Sequence, residues 1–152
     1  MKLRIEIDET AEEDEVVIRC KALTGTVRRM QQVLTEFAQT PDITFFKDNT
    51  EYFPDVNEIL FFETSGTIIA AHTADNVFTV KAKLYELERT LPLSFIRVSK
   101  STILNVSHIY SIEKNITASS IVQFSRSHKQ VYVSRNYYKV LKQRLDERRK
   151  VL

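Results

Sequence analysis

The sequence contains few of the residues that break or cross-link a chain: two glycines, three prolines and one cysteine, with no tryptophan. Two glycines leave little backbone permissive enough for a glycine-rich phosphate loop or a G-x-S-x-G nucleophile turn, and neither motif is present. The single cysteine, Cys20, excludes an internal disulfide, which agrees with a reducing compartment. We predict that Cys20 is a small residue of the core.

Long apolar runs are also absent. No segment approaches the roughly 18 apolar residues that span a bilayer, and residues 1–6 lack the apolar core of a signal peptide. Hydrophobic residues make up 43% and charged residues 28% of the 152 residues, which is typical of a globular chain with one domain and an extension. We therefore expect a soluble, cytoplasmic protein.

A catalytic set is the next feature that the sequence lacks. The three histidines, His72, His108 and His128, do not have the close spacing that zinc sites favour, so we expect no metal site. Cys20 lies between Arg19 and Lys21, but strand alternation points it away from those two side chains. We therefore expect neither an enzyme nor a protein that needs a cofactor.

Charge is distributed unevenly along the chain. The net charge is only +2, yet residues 1–90 carry 10 Lys and Arg against 17 Asp and Glu, and residues 91–152 carry 12 against 3. A C-terminal part this basic would attract a polyanion such as DNA, RNA or an anionic membrane surface. The alternative is that folding mixes the two parts and leaves no basic patch.

The first 42 residues form a predicted extension. Residues 2–7 and 16–20 alternate between apolar and polar side chains, which predicts two half-buried strands. Residues 27–38 then place apolar side chains at helical spacing, with Thr24 or Thr26 able to cap the helix and Pro41 to end it. We expect the apolar face of this helix to pack on the two strands; the alternative is a dimer contact.

Residues 43–152 are predicted to form one mainly β domain, so that the protein is α+β overall. Short strands separated by turn residues indicate antiparallel sheets rather than βαβ units. Two helices are predicted, at residues 83–90 and 134–149, the second with an apolar stripe of Tyr137, Val140, Leu141 and Leu145. The ten predicted strands are residues 43–47, 51–54, 59–63, 67–73, 77–82, 95–99, 102–106, 109–113, 120–124 and 130–134.

Cations lie at the ends of elements in the basic part. Arg97, Lys100 and Ser101 surround a junction between two strands, and Arg135 opens the last helix, with Lys139 one turn further along. A cation in the first turn of a helix opposes the helix dipole by roughly 0.3 to 1 kcal/mol, so its position suggests a use other than stability. Exposed donors there suit a DNA phosphate or a base edge. The alternative is a solvated basic helix.

Several segments resemble the LytTR family of DNA-binding domains. The first half is carried by Ile59-Leu60-Phe61-Phe62-Glu63, Ile68 to His72 and Leu84-Tyr85-Glu86-Leu87-Glu88. The second half is carried by Phe95 to Val106 and by Val131-Tyr132-Val133-Ser134-Arg135 followed by Tyr137-Tyr138. The segments occur in the family's order over residues 43–146, about two thirds of the chain.

The resemblance implies an antiparallel β-fold whose inter-strand loops enter successive major grooves of bent DNA. It implies that Arg135 reads bases and that Lys100 reaches DNA from the junction loop with Ser101 beside it. Ser65 and Thr67 correspond to a third contact loop, whereas Ser99 replaces the family's usual histidine. Arg97 matches a characteristic arginine, for which DNA contact and a structural salt bridge are both open. Lys139 would contact a phosphate.

The 42-residue extension is too short for a phosphoacceptor receiver domain, so the chain resembles the stand-alone members of the family. Some of these are encoded beside a small membrane protein that restrains them. We therefore expect a sequence-specific transcriptional regulator that binds duplex DNA as a homodimer, with the extension available for self-association or for a membrane protein partner. The alternative function is a protein-interaction module that docks an acidic partner without binding DNA.

Overall fold

The computed structural model describes residues 2–12, 14–38 and 42–151. The elements are three α-helices, ten β-strands and two short 3-10 helices. The helices are α1 (Gly25–Ala38), α2 (Leu84–Thr90) and α3 (Arg135–Val151), and the 3-10 helices are Val56–Glu58 and Val106–His108. The strands are β1 (Phe45–Lys47), β2 (Thr50–Tyr52), β3 (Phe61–Ser65), β4 (Ile68–His72), β5 (Val77–Val80), β6 (Phe95–Arg97), β7 (Thr102–Asn105), β8 (Ile109–Glu113), β9 (Ser120–Phe124) and β10 (Gln130–Val133).

The strands form two sheets, and every pair is antiparallel. The larger sheet has the order β2-β1-β5-β4-β3-β7-β6, and the smaller sheet has the order β10-β9-β8. Each strand predicted within residues 43–152 is confirmed, as are the two helices predicted there. The protein is therefore mainly β and α+β overall, as the sequence predicts.

The centre of the larger sheet is buried on both faces. Successive side chains of a strand point to opposite faces, so Phe61 and Phe62 enter different clusters. One cluster contains Phe62 and lies under α2, which contributes the buried residues Leu84 and Leu87. The other contains Phe61 and is covered by the smaller sheet and α3. Full burial of side chains of this size stabilises the fold by about 1.5 to 3 kcal/mol each.

Helix α3 is attached to the second cluster by Leu141, which is fully buried. Tyr137 and Leu145 pack on the same cluster, as predicted, but Val140 is 51% exposed, so its place in the apolar stripe is a wrong prediction. Tyr138 packs there in its place. The apolar stripe of α3 therefore consists of Tyr137, Tyr138, Leu141 and Leu145, and it is rotated about the helix axis relative to the predicted stripe.

The two strands predicted in the extension are absent from the structure. Residues 2–7 and 16–20 have no strand pairing, and their apolar side chains are exposed, Leu3 by 94% and Ile7 by 89%. Cys20 is also exposed, so its prediction as a core residue is wrong. Alternation gives a strand a face to bury, but it does not supply the neighbouring strand that satisfies the backbone.

Helix α1 is confirmed, and Thr24 caps it: the Thr24 hydroxyl accepts a hydrogen bond of 3.3 Å from the Val27 amide. The helix contacts α3 instead of the two predicted strands. Pro41, expected to end the helix, lies outside the described residues. The division of the chain into an extension of residues 1–42 and a domain of residues 43–152 remains a prediction.

At the end of the larger sheet where β4 leads into β5, Lys129 joins the two sheets. Lys129 lies in the loop between β9 and β10, and its ammonium donates to the carbonyl oxygens of Thr73 (2.8 Å) and Asn76 (3.1 Å). A buried aromatic stack makes a second connection, because Phe61 of the larger sheet stacks on Phe124 of the smaller one, with ring centroids 5.5 Å apart. These contacts fix the relative position of the sheets at this end.

His72 lies between these two connections. Its ring stacks on Phe61 with centroids 4.2 Å apart, and its Nε2 lies 2.9 Å from a carboxylate oxygen of Glu63. Burial lowers the pKa of His72 and the charge of Lys129 lowers it further, although the charge of Glu63 opposes both. Nδ1 is buried and has no partner among the described residues, so a second proton on the ring would have no acceptor.

Because its pKa is lowered in the folded state, His72 binds fewer protons there than in the unfolded chain, whose histidine pKa is near 6.5. Stability is therefore complete above pH 6.5 and decreases as the pH falls below it. We predict that His72→Phe, which keeps the ring stack and removes the titration, makes the free energy of unfolding less dependent on pH between about 7 and 5 in urea titrations. The control is His128→Asn at an exposed position, and equal pH profiles for wild type and His72→Phe would contradict the prediction.

Candidate nucleic-acid interface

Three connections meet at one end of the two sheets. They are the turn between β3 and β4, the loop between β6 and β7, and the junction between β10 and α3. We call this surface the loop edge and define it by Ser65, Thr67, Lys100, Ser101 and Arg135, all of which are exposed. The structure therefore brings together the three segments that the sequence singled out.

Two backbone hydrogen bonds join these connections. The amide of Thr64 donates to the carbonyl of Ser101 at 2.9 Å, which sets the β3–β4 turn beside the β6–β7 loop. The amide of Ser134 donates to the carbonyl of Val98, also at 2.9 Å, which sets the start of α3 beside the same loop. The middle loop is thus held from both sides, so the loop edge is a continuous surface.

The β3–β4 turn is tight because Gly66 adopts a φ of 61°, a left-handed conformation that favours glycine. Ser65 and Ile68 are paired across the turn, so the loop between them is only two residues long. Ser65 and Thr67 flank the glycine and present their hydroxyls to solvent. The turn offers short polar side chains and no charge.

The start of α3 is fixed by contacts further along the helix. Besides the buried Leu141, Arg144 donates to the carbonyl of Leu93, and Arg148 donates to the hydroxyl of Ser107 at 2.7 Å. These contacts hold the helix to the domain and leave Arg135 and Lys139 on its exposed side, one turn apart. A rigid helix therefore presents both cations.

Cations at the loop edge have no internal partners in the part of the chain that the structure describes. No hydrogen bond or ion pair to a protein group involves the side chains of Lys100, Arg135 or Lys139 there. Cations with a structural role would form ion pairs. Cations that are merely solvated would be spread over the surface. Their grouping at one end leaves unpaired donors that can reach a polyanion.

Arg97 differs from them because its donors are already occupied. Its guanidinium donates to the carbonyl of Ser99 at 3.0 Å and to the carbonyl of Lys100, and it forms an ion pair of 2.9 Å with Glu88 of α2. A planar guanidinium can span these three acceptors at once, whereas a lysine ammonium cannot. Of the two possibilities for Arg97, the geometry supports the structural salt bridge, and we infer that Arg97 positions the β6–β7 loop.

The β6–β7 loop is short and internally bonded. The amide of Val98 donates to the carbonyl of Thr102 at 3.0 Å, and the amide of Ser101 donates to the hydroxyl of Ser99 at 3.2 Å. Ser101 therefore has its backbone oriented by the loop, while Lys100 at the tip points into solvent. Sequence reasoning missed Glu88, since nothing in the local pattern indicates that α2 lies beside Arg97.

Within the described residues, no three His, Cys, Asp or Glu side chains are grouped so that they could hold a metal ion. No helix in the same part of the chain is long and apolar enough to cross a membrane.

Comparison with protein families finds a match over residues 50–146 to the LytTr DNA-binding domain. This region contains all of the loop edge and nine of the ten strands, β2 to β10. Full-length relatives are also found. An uncharacterized HTH-type transcriptional regulator of Staphylococcus aureus strain NCTC 8325 is 29% identical over 147 residues, covering 95% of this chain and 98% of the relative. A relative with the same description from the bovine strain RF122 is 28% identical over the same length.

Among solved structures, the LytTr DNA-binding domain of a methyl-accepting/DNA response regulator from Bacillus cereus superimposes with a TM-score of 0.63. It is 23% identical in sequence and covers 69% of this chain and 97% of its own, so the likeness concerns the fold. The helix-turn-helix in the names of the relatives does not describe this architecture. In the described residues, strands separate the three α-helices from one another, and no two helices are joined by a short turn.

We predict that Arg97→Lys and Arg97→Ala weaken DNA binding to a similar extent, because neither residue can hold both loop carbonyls and Glu88. The slope of log affinity against log salt should stay unchanged, since a positioning residue neutralises no phosphate. Hydrogen exchange of the amides of residues 99–101 should increase in both variants. Glu88→Gln keeps the two carbonyl bonds and serves as the control. If Arg97→Lys retains wild-type affinity, the positioning role is wrong. If the slope for Arg97→Ala falls by about 0.9, Arg97 contacts a phosphate directly.

Proposed function

Because the chain belongs to the LytTR family, whose domains bind DNA, we propose that it is a sequence-specific transcriptional regulator that holds duplex DNA with the loop edge. Its family consists of DNA-binding domains rather than enzymes. The observation that carries the proposal is the grouping of the exposed, unpaired Lys100 and Arg135 with Ser65, Thr67 and Ser101 at one end of the sheets, within the described residues. The protein would act in the cytoplasm, where chromosomal DNA is accessible.

In the proposed complex, Arg135 at the start of α3 enters the major groove and donates to a base edge, most favourably the O6 and N7 atoms of guanine. Lys100 approaches the DNA from the β6–β7 loop, and the hydroxyls of Ser65, Thr67 and Ser101 donate to phosphates or bases. Lys139, one turn along α3, contacts a phosphate. The hydrogen bonds and packing contacts that hold the loops and α3 favour affinity, because these segments lose little conformational entropy on binding.

We predict that Arg135→Ala loses about 1 to 3 kcal/mol of binding free energy and relaxes discrimination at one base pair. Lys139→Ala should weaken all duplexes alike and lower the salt slope by about 0.9, because it removes one phosphate contact. The measurement is a fluorescence titration of a duplex recovered by in vitro selection from random sequences, and of variants of it with single base changes. If the Arg135→Ala variant folds and binds the selected duplex as tightly as the wild type, the assignment of Arg135 is wrong. If the selection recovers no preferred sequence, the proposed function is wrong.

We further propose that two copies associate through the extension. Leu3, Ile5 and Ile7 are each more than 80% exposed in the single chain and alternate with polar residues, so they suit pairing with another chain. The relatives match 95% of this chain, so the matched region includes most of the extension. A dimer would bind two half-sites, and a membrane protein that restrains the regulator could compete for the same residues.

The variant Leu3→Ser, Ile5→Ser, Ile7→Ser is predicted to sediment as a monomer at concentrations where the wild type is a dimer. It should bind a single half-site with unchanged affinity and a paired site more weakly, because avidity is lost. The control is Phe53→Ser, which removes an apolar side chain that is 86% exposed outside the extension. Equal sedimentation of the triple variant and the wild type would show that the extension does not mediate self-association.

A further inference from the structure

A fourth connection lies at the loop edge, although no sequence motif indicates it. The loop between β8 and β9, residues 114–119, follows Glu113, which pairs with Ile121. At the start of β9, Ser120 pairs with Val133, the last residue of β10. Because β10 leads directly into α3, this register places the β8–β9 loop beside Arg135.

The β8–β9 loop and the start of α3 border a shallow groove of about 640 Å³ that is open to solvent and is lined by Ala118, Ser119, Arg135 and Asn136. In the described part of the chain, the side chains of Ser119, Arg135 and Asn136 make no hydrogen bond or ion pair with the protein. A hydroxyl, an amide and a guanidinium thus converge on one space with their donors unused.

Lys114 adds a positive charge next to the first turn of α3. Its ammonium lies 5.2 Å from the ring centroid of Tyr138, a residue in the first turn of α3. This cation–π contact holds the lysine against the helix without neutralising its charge. Glu113, which precedes it at the end of β8, is the acidic neighbour in sequence.

The loop has a fixed shape without a ligand. The side-chain oxygen of Asn115 accepts hydrogen bonds from the amide (3.1 Å) and the hydroxyl (3.2 Å) of Thr117. The amide of Asn115 donates to the hydroxyl of the buried Ser120 at 3.3 Å, which ties the loop to β9. The side-chain oxygen of Asn115 and the hydroxyl of Thr117 are therefore bonded inside the loop, whereas Ser119 lines the groove.

We propose that the β8–β9 loop is a further DNA-contacting element, in which the groove receives a phosphate next to the base pair contacted by Arg135. Ser119 and Asn136 donate hydrogen bonds to the phosphate oxygens, and the ammonium of Lys114 neutralises their charge. A phosphate fits this set because the hydroxyl and the amide can donate to its oxygens, and the nearby charges of Arg135 and Lys114 are positive. The proposal rests on the proposed function and adds a contact that fixes the register of α3 on the duplex.

The test compares four variants of the full chain on the selected duplex. Lys114→Gln should reduce the slope of log affinity against log salt by about 0.9, the value for one phosphate contact. Its control, Lys47→Gln, removes an exposed lysine from the last position of β1, at the end of the larger sheet away from the loop edge, and should leave the slope unchanged. Ser119→Glu places a carboxylate in the groove and should weaken binding at least about tenfold, because like charges repel at short range. Its control, Ser125→Glu, adds the same charge at the opposite end of β9.

Ethylation interference identifies the contacted phosphate directly. Ethylation of one phosphate should block DNA binding by the wild type and should have no effect on DNA binding by Lys114→Gln. If Lys114→Gln and Ser119→Glu both bind with wild-type affinity and slope while Arg135→Ala is impaired, the fourth contact is wrong and the proposed function stands. If Ser119→Glu changes base preference and the slope for Lys114→Gln is unchanged, the groove holds a base edge, which also overturns the phosphate contact. Absence of a preferred duplex for the wild type would count against the proposed function itself.

Discussion

Pairing between β3 and β7 at the centre of the larger sheet determines the rest of the arrangement. Phe61 and Phe62 are buried on opposite faces, and so are Leu104 and Ile103, their partners across the sheet. A slip of one residue would exchange each phenylalanine between a cluster under α2 and a cluster under the smaller sheet, so the register is strongly specified. With that register, Glu63 pairs with Thr102, and the β3–β4 turn and the β6–β7 loop end side by side.

Most of the β domain follows from local sequence signals. Alternation with turn residues is sufficient for ten strands because each has a neighbour in the sheet to satisfy its backbone, and all except the edge strand β2 also have side chains that are at least partly buried. The same signal fails at residues 2–7 and 16–20, where the alternation is equally clear but the single chain supplies no neighbouring strand. The periodicity of a segment thus indicates which of its side chains can be buried, but it does not indicate whether a neighbouring strand is present to pair with it. For the same reason, the stripe on α3 was predicted with Val140 where packing selects Tyr138.

The candidate site is predictable only in part. The positions of cations at the ends of elements predict Lys100 and Arg135 as site residues, and the family resemblance adds Ser65 and Thr67. All four can be predicted because each lies in a contiguous segment that carries the signal by itself. The role of Arg97 depends on two carbonyls that face it only after the β6–β7 loop has formed, and on Glu88 from another element. The groove beside Arg135 depends on the pairing of β9 with β8 and β10, which is not contained in any single segment.

The polar contacts of charged side chains differ between the two ends of the sheets. Lys129 and His72, with Glu63, join elements at or toward the end where β4 leads into β5, and their polar groups are used inside the fold. At the loop edge, by contrast, the described structure gives Lys100 and Arg135 no carboxylate that binding would have to displace. A polyanion that binds there exchanges only water and counterions for these cations, so its affinity should depend on salt and not on the disruption of internal ion pairs. At the loop edge, Arg97 uses its guanidinium inside the fold to hold the β6–β7 loop, and Lys100 and Arg135 stay unpaired within the described residues, so neighbouring cations there divide the structural contacts and the free charge between them.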